Sequence, residues 1–250
     1  MYTRTILEGS GYQFIKNSYS SNNGAPGFGR NKKRKRTPED MERQNQSNRA
    51  RHVQLLILGN FKEGWHVTLT YAKEKRPKDG EEAKKILAKF HRRMKAKFKK
   101  AGFEYKWIAV TEIGSKGAVH HHLILEDIHT DSFTTQKAVK ECWEFQAYYS
   151  SLYEEGSYEN LSEYIAKKET KEDIPGCKIS HSRNLEMPQK KKKRMRSKTW
   201  MLEPKIPKGW MLVKDSLYNG VNPFTGLPQQ HYLIVETKPP NRRNTDGRII

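Results

Sequence analysis

The chain of 250 residues holds two cysteines, Cys142 and Cys177. Two are too few for a disulfide framework or a four-thiolate zinc site, and reduced buried thiols are expected. No apolar run approaches the roughly 20 residues that a bilayer span requires, so no membrane partner is expected. The opening residues, MYTRTILEGSGYQF, lack the apolar core of a secretory signal, which points to a cytoplasm-like compartment. No G-x-x-x-x-G-K-[ST] phosphate loop occurs, so nucleotide-driven helicase work is not expected of these residues. Apolar residues are scarce at 34%, against 30% charged, so part of the chain is expected to lie outside a packed core. Acidic charge is also short. With 48 Lys+Arg against 28 Asp+Glu the net charge is +20, a field that attracts polyanions. Nucleic acid is the first partner to consider, and an anionic lipid surface is its competitor.

Residues 1–50 combine SSNNGAPGFG, NKKRKR and a polar stretch, and are expected to form a flexible basic arm that attracts phosphates. Lys32 to Arg36 also has the composition of a nuclear-import signal, should the host possess a nucleus. From Val53 the texture changes. VQLLIL, the turn-rich GNFKEG and the alternating WHVTLTY predict a hairpin over Val53 to Tyr71. Between Asp79 and Gly102, Ala83, Ile86, Leu87, Phe90, Met94 and Phe98 follow the 3-and-4 spacing of one helix face. With strands on either side, that stripe reads as a core contact rather than a lipid-binding face. YKWIAVTE and AVHHHLILE predict a second hairpin. A helix is expected over Thr134 to Tyr149, another capped by Asn160 or Ser162 and running to about Lys168, and a short strand at CKISHSR. KKKKRMR at 190–196 reads as a solvated loop. The expected division is an arm at 1–50, a domain of α+β class at 51–185, and a basic accessory segment at 186–250.

Within the second hairpin lies His120-His121-His122. Strand side chains alternate, so His120 and His122 share one face, roughly 6–7 Å apart, while His121 points the other way. Two imidazoles with a nearby carboxylate, Glu112, can grip a divalent ion and leave positions open for a phosphate oxygen. Thr68 and Thr70 lie on one face of the preceding strand. NLSEYIAKKE places Tyr164 and Lys167 at i and i+3 on a helix, with Lys168 at i+4. A phenol beside an ammonium group is suited to attack a phosphodiester.

The ordered set of TLTY at 68–71, Glu112 with HHH at 120–122, and YIAK at 164–167 resembles the three motifs of the HUH endonucleases. The likeness is strongest to rolling-circle replication initiators with a single catalytic tyrosine. The middle of motif two is His121, where a bulky hydrophobe is usual. His121 with a neighbour could therefore compete for the metal, but strand alternation favours His120 and His122. The resemblance implies a central antiparallel sheet flanked by helices, of ferredoxin-like ancestry. It implies Mn²⁺ or Mg²⁺ on Glu112, His120 and His122, and attack by Tyr164 on a single-stranded DNA origin or hairpin. The products would be a 5′-phosphotyrosine link and a free 3′-hydroxyl primer, with later rejoining of strands. Lys167 would assist the tyrosine, and Thr68, Thr70, Lys168 and Arg183 would contact DNA. A host helicase and polymerase would be partners, in the cytoplasm of a bacterium carrying a plasmid or phage, or in a nucleus. Relaxases and single-tyrosine transposases share this chemistry, but relaxases usually place the tyrosine ahead of the histidines. A silent single-strand binder using Trp107, Trp200 and Trp210 is the alternative of another class.

Overall fold

A computed structural model describes residues 1–20, 24–28, 35–113, 118–152, 158–167 and 179–237. Among these the chain is α+β, with two antiparallel sheets and four helices. In order they are β1 (Tyr2–Gly9), β2 (Tyr12–Ser18), α1 (Pro38–Asn60), β3 (Gly64–Leu69), α2 (Gly80–Lys100), β4 (Trp107–Ile113) and β5 (Val119–Glu126). There follow α3 (Thr135–Cys142), β6 (Ala147–Ser151), α4 (Glu159–Ala166), β7 (Ser180–His181), β8 (Gln189–Met195), β9 (Trp210–Leu212), β10 (Tyr218–Val221) and β11 (Pro228–Glu236). Two compact units result: Met1–Glu42 with Met187–Ile250, and Arg43–Glu186. No described helix is long and apolar enough to cross a membrane.

The Arg43–Glu186 unit is built on a sheet of order β6-β3-β5-β4-β7. Helices cover both of its faces, so β5 carries a continuous apolar run, Leu123, Ile124 and Leu125, every one fully buried. On one face Val67, Leu69, Leu123 and Leu125 pack with Ala83, Leu87, Phe90 and Met94 of α2. On the other, Ile108, Val110 and Ile124 pack with Val53, Leu56 and Ile57 of α1 and Ile165 of α4. Each such aliphatic side chain contributes about 1.5–3 kcal/mol by leaving water.

The α2 helix follows its sequence signals closely. Asp79 accepts from the Glu82 amide at 2.8 Å, and the Glu82 carboxylate accepts from the Lys78 amide at 2.7 Å. Gly102 takes φ +81° beyond the helix end, where the Phe103 amide returns to the Phe98 carbonyl at 2.9 Å. That left-handed residue is why glycine stands there.

Three sequence expectations are corrected. Val53 to Asn60 is not the first arm of a hairpin but the buried end of α1, with Val53, Leu56 and Ile57 on one helical stripe. The start signal is local: the Thr37 hydroxyl accepts from the Asp40 amide at 3.2 Å, the Asp40 carboxylate accepts from the Thr37 amide at 3.1 Å, and Pro38 opens the helix. The helix expected over Thr134 to Tyr149 ends at Cys142, and Ala147–Ser151 becomes β6, paired with β3 from Leu69↔Ala147 to Trp65↔Ser151. KKKKRMR is a strand rather than a loop, because β1 offers a free edge and pairs Thr3↔Arg194 through Glu8↔Gln189.

Much of the segment expected as an arm is likewise ordered. Tyr2–Gly9 and Tyr12–Ser18 form a hairpin in the sheet of order β10-β11-β2-β1-β8, with β9 on β11. Its stability comes from residues distant in sequence: Ile15 packs with Tyr232 and Ile234, and Asn17, fully buried, donates to Gln230 Oε1 at 2.8 Å. The residues after 186 thus supply β8 to β11 of this sheet. Positions 21–23 and 29–34 of the expected arm lie outside the described residues.

Candidate active site

Register places the candidate residues. In the antiparallel β4/β5 pair Glu112 lies opposite His120, and His122 lies opposite Val110 on β4 and Thr68 on β3. Residues opposite one another share a sheet face, so Thr68, Glu112, His120 and His122 project together, on the side covered by α1 and α4. Tyr164 comes from α4, which docks through buried Ile165 and Ala166 and leaves the ring 42% exposed.

The contacts are short. Tyr164 donates its hydroxyl to Glu112 Oε1 at 2.8 Å and lies 3.3 Å from His122 Nε2. His122 Nε2 stands 2.8 Å from the same carboxylate oxygen, so the proton is assigned to Nε2 and Nδ1 is the acceptor. Thr68 Oγ1 at 3.2 Å and His66 Nε2 at 3.1 Å both face that Nδ1, and both can donate to it. The His66 ring stacks on His122 with centroids 5.3 Å apart, and the Tyr164 ring meets His122 edge-on at 5.2 Å.

These neighbours set the protonation states. Burial, together with the His122 ring, lowers the pKa of His66 to about 4. Burial and His122 also lower that of His120. Tyr164 is held well above the ordinary phenol value, first by burial and then by its hydrogen bond to the Glu112 carboxylate. The sequence suggested a phenol beside an ammonium group; the structure places a carboxylate against the hydroxyl instead.

His121 is separated from the cluster. It is fully buried on the opposite face, its Nε2 at 2.5 Å from the Tyr71 hydroxyl and its Nδ1 at 2.8 Å from Thr111 Oγ1. Burial depresses its pKa to about 3. A structural histidine in motif two therefore explains the missing hydrophobe: it fills the core position as a hydrophobe would, with both nitrogens satisfied. His66 was missed in the sequence, although it lies two residues before Thr68 and so on the same strand face.

The other expected residues divide. Thr68 orients His122, whereas the Thr70 hydroxyl donates to the Gln146 carbonyl at 3.2 Å, beyond the end of β3. Lys167 is the C-cap of α4, where the backbone leaves the helix at ψ 132°, and its side chain is exposed. Lys168, like Cys177, lies outside the described residues. Arg183 is not brought to the cluster. Beside it β7 pairs with β4 at Ile108 and Ala109, roughly 13 Å along that strand from Glu112.

The donor chemistry suits a divalent cation: two imidazoles and a carboxylate on one face, with His120 Nδ1 buried and lacking a hydrogen-bond partner. Glu112 and His122 are bonded directly to each other, and among the described residues no group of three or more His, Cys, Asp or Glu side chains is gathered as an ion shell.

The family model of the replication-associated proteins, described by its ORF2 and gene 2 protein members, matches residues 64–173, from β3 past α4. Every member of the cluster, from His66 to Tyr164, falls inside the matched stretch. No curated protein and no solved structure matches the chain. The family match supports a replication-associated role for this chain.

Proposed function

We propose that this chain is a replication initiator of the HUH type, which nicks a single-stranded DNA origin through Tyr164. The observation that carries the reading is the 2.8 Å hydrogen bond from Tyr164 to Glu112, with His122 at 3.3 Å, joining three residues far apart in sequence. In the reaction the Tyr164 oxygen attacks the scissile phosphorus. The P–O3′ bond breaks as the P–O(Tyr) bond forms, leaving a 5′-phosphotyrosine and a 3′-oxygen that takes up a proton. Glu112 stands where it can receive the phenolic proton. His122, held through Nδ1 by Thr68 and His66, keeps an N–H directed at the carboxylate and the phenolic oxygen. Glu112, His120 and His122 would hold Mn²⁺ or Mg²⁺, whose bound charge would polarise the phosphoryl group and favour the phenolate. Lys167, Lys168 and Arg183 would add positive charge along the DNA path. The 3′-hydroxyl would prime synthesis by a host polymerase, with a host helicase opening the duplex.

The test is incubation with a pool of single-stranded DNA and Mn²⁺, followed by sequencing of what becomes covalently attached to the protein. A recurrent junction linked to Tyr164 supports the reading. DNA binding with no adduct under any divalent ion supports the silent binder instead.

A further inference from the structure

At the far edge of the same unit, a groove of about 580 Å³ lies between α2 and the strand edge at β4 and β7. Arg92, Lys95 and Lys99 line it from α2, and Arg183 from the segment after β7, against one carboxylate, Glu104. All four cations are exposed, and none has a carboxylate partner among the described residues. The contrast lies on the same helix. Arg93 pairs with Glu144 at 3.2 Å and Lys97 pairs with Glu141, so the neighbouring basic stripe is already neutralised. Arg92, Lys95 and Lys99, at i, i+3 and i+7, form a second stripe that is not.

The groove also has a firm aromatic wall. The His91 ring stacks on Trp107 at 3.8 Å, and His91 Nδ1 lies 2.9 Å from the Tyr105 hydroxyl. Tyr105 is held protonated by burial, so it donates to Nδ1 and the His91 proton sits on Nε2. That N–H is buried with no partner, a cost which an acceptor brought into the groove would relieve.

We propose that this groove is a second DNA contact, in which Arg92, Lys95, Lys99 and Arg183 hold backbone phosphates of the strand outside the cleaved junction. The identity of the polyanion rests on the nickase reading above; the anion-binding chemistry rests on the groove alone. Unpaired cations in an open groove suit a phosphodiester chain, whose contacts release counterions and carry no base readout.

The test is equilibrium binding of a labelled single-stranded oligonucleotide of about 30 nucleotides, with chelator present, over a range of salt. The variants are Lys95→Ala/Lys99→Ala/Arg183→Ala and, as a control with equal loss of charge on α2, Lys84→Ala/Lys85→Ala/Lys89→Ala. Losing three phosphate contacts should reduce the slope of log K against log salt by about 2 and weaken binding about tenfold or more at physiological salt, with the control slope changing by less than about 1. Equal effects of the two triples overturn the proposal, since only the overall field would then be at work. Calorimetry with inorganic phosphate alone separates the two sources of the chemistry. Phosphate heat lost in the groove triple, with an unchanged DNA slope, overturns the proposal in favour of a small-anion site. The altered side chains are exposed, so an unchanged urea midpoint is expected and accompanies each variant. No step here needs cleavage, so a wild-type protein that never forms an adduct refutes the nickase and leaves the binding comparison valid.

Discussion

Replacing Tyr164 by Phe removes one oxygen and keeps the ring, which separates chemistry from packing. The lost hydroxyl donates to Glu112 Oε1 at 2.8 Å, while the ring contacts to His122 at 5.2 Å and His66 at 6.4 Å remain. A hydrogen bond to a charged group contributes about 1.5–3 kcal/mol, but this ring is 42% exposed, so water can replace the hydroxyl and the cost should fall nearer 0.5–1 kcal/mol. Urea unfolding should therefore show a small shift of midpoint at unchanged slope. Catalysis should change on another scale, because no other hydroxyl replaces the nucleophile at Glu112 Oε1 in this cluster. The covalent protein–DNA adduct on a denaturing gel should fall below detection, a loss of more than about 10³-fold, or 4 kcal/mol of barrier. Oligonucleotide affinity measured without metal should stay within about twofold, since phosphate contacts dominate it. A mobility-shifted adduct of undiminished yield in Tyr164→Phe would refute the reasoning and assign the attack to another residue.

His121→Ala should lower stability by about 2–4 kcal/mol, because it opens a cavity and strands the hydroxyls of Tyr71 and Thr111, yet the folded variant should still form adduct. His122→Ala and Glu112→Ala should abolish it, and His120→Ala should reduce it steeply; a worse loss in His121→Ala would reverse the face assignment. His121 and His91 have folded pKa values of about 3, below an unfolded 6.5, so their contribution is fully present above pH 6.5 and is lost as pH falls towards 3. Between pH 6.5 and 5 each should cost roughly 2 kcal/mol, and a urea midpoint that is flat over this interval contradicts their burial as neutral rings. Exhaustive chelation should stop adduct formation while leaving DNA binding largely intact, and cleavage that survives it would remove the metal from the mechanism.

Local patterns were legible where one element satisfied its own needs. The α2 stripe, its Asp79 cap and the Gly102 stop all lie within a few residues of the groups they serve. The two arms of the β4/β5 hairpin are close in sequence, which makes the alternation of His120, His121 and His122 readable as two faces. VQLLIL was ambiguous because a short apolar run fits a buried strand or a buried helix equally well. The TPED signal that settles it stands sixteen residues earlier, at Thr37. KKKKRMR has no strand pattern of its own and pairs only because β1, nearly two hundred residues away, offers an edge.

The sequence by itself determined the donor types, their order and their strand face, because side-chain chemistry and a period of two are local properties. Only the tertiary structure decided what each donor meets. The β3/β5 register brings Thr68 and His66 to His122, and α4 carries Tyr164 onto Glu112, so the phenol meets an anion instead of the cation three residues along its own helix. Packing on the far side of the same sheet makes His121 a core residue and leaves one basic stripe of α2 paired and the other open. Such neighbours are set by long-range register and burial, where one strand's pairing places residues fifty positions apart within hydrogen-bonding distance.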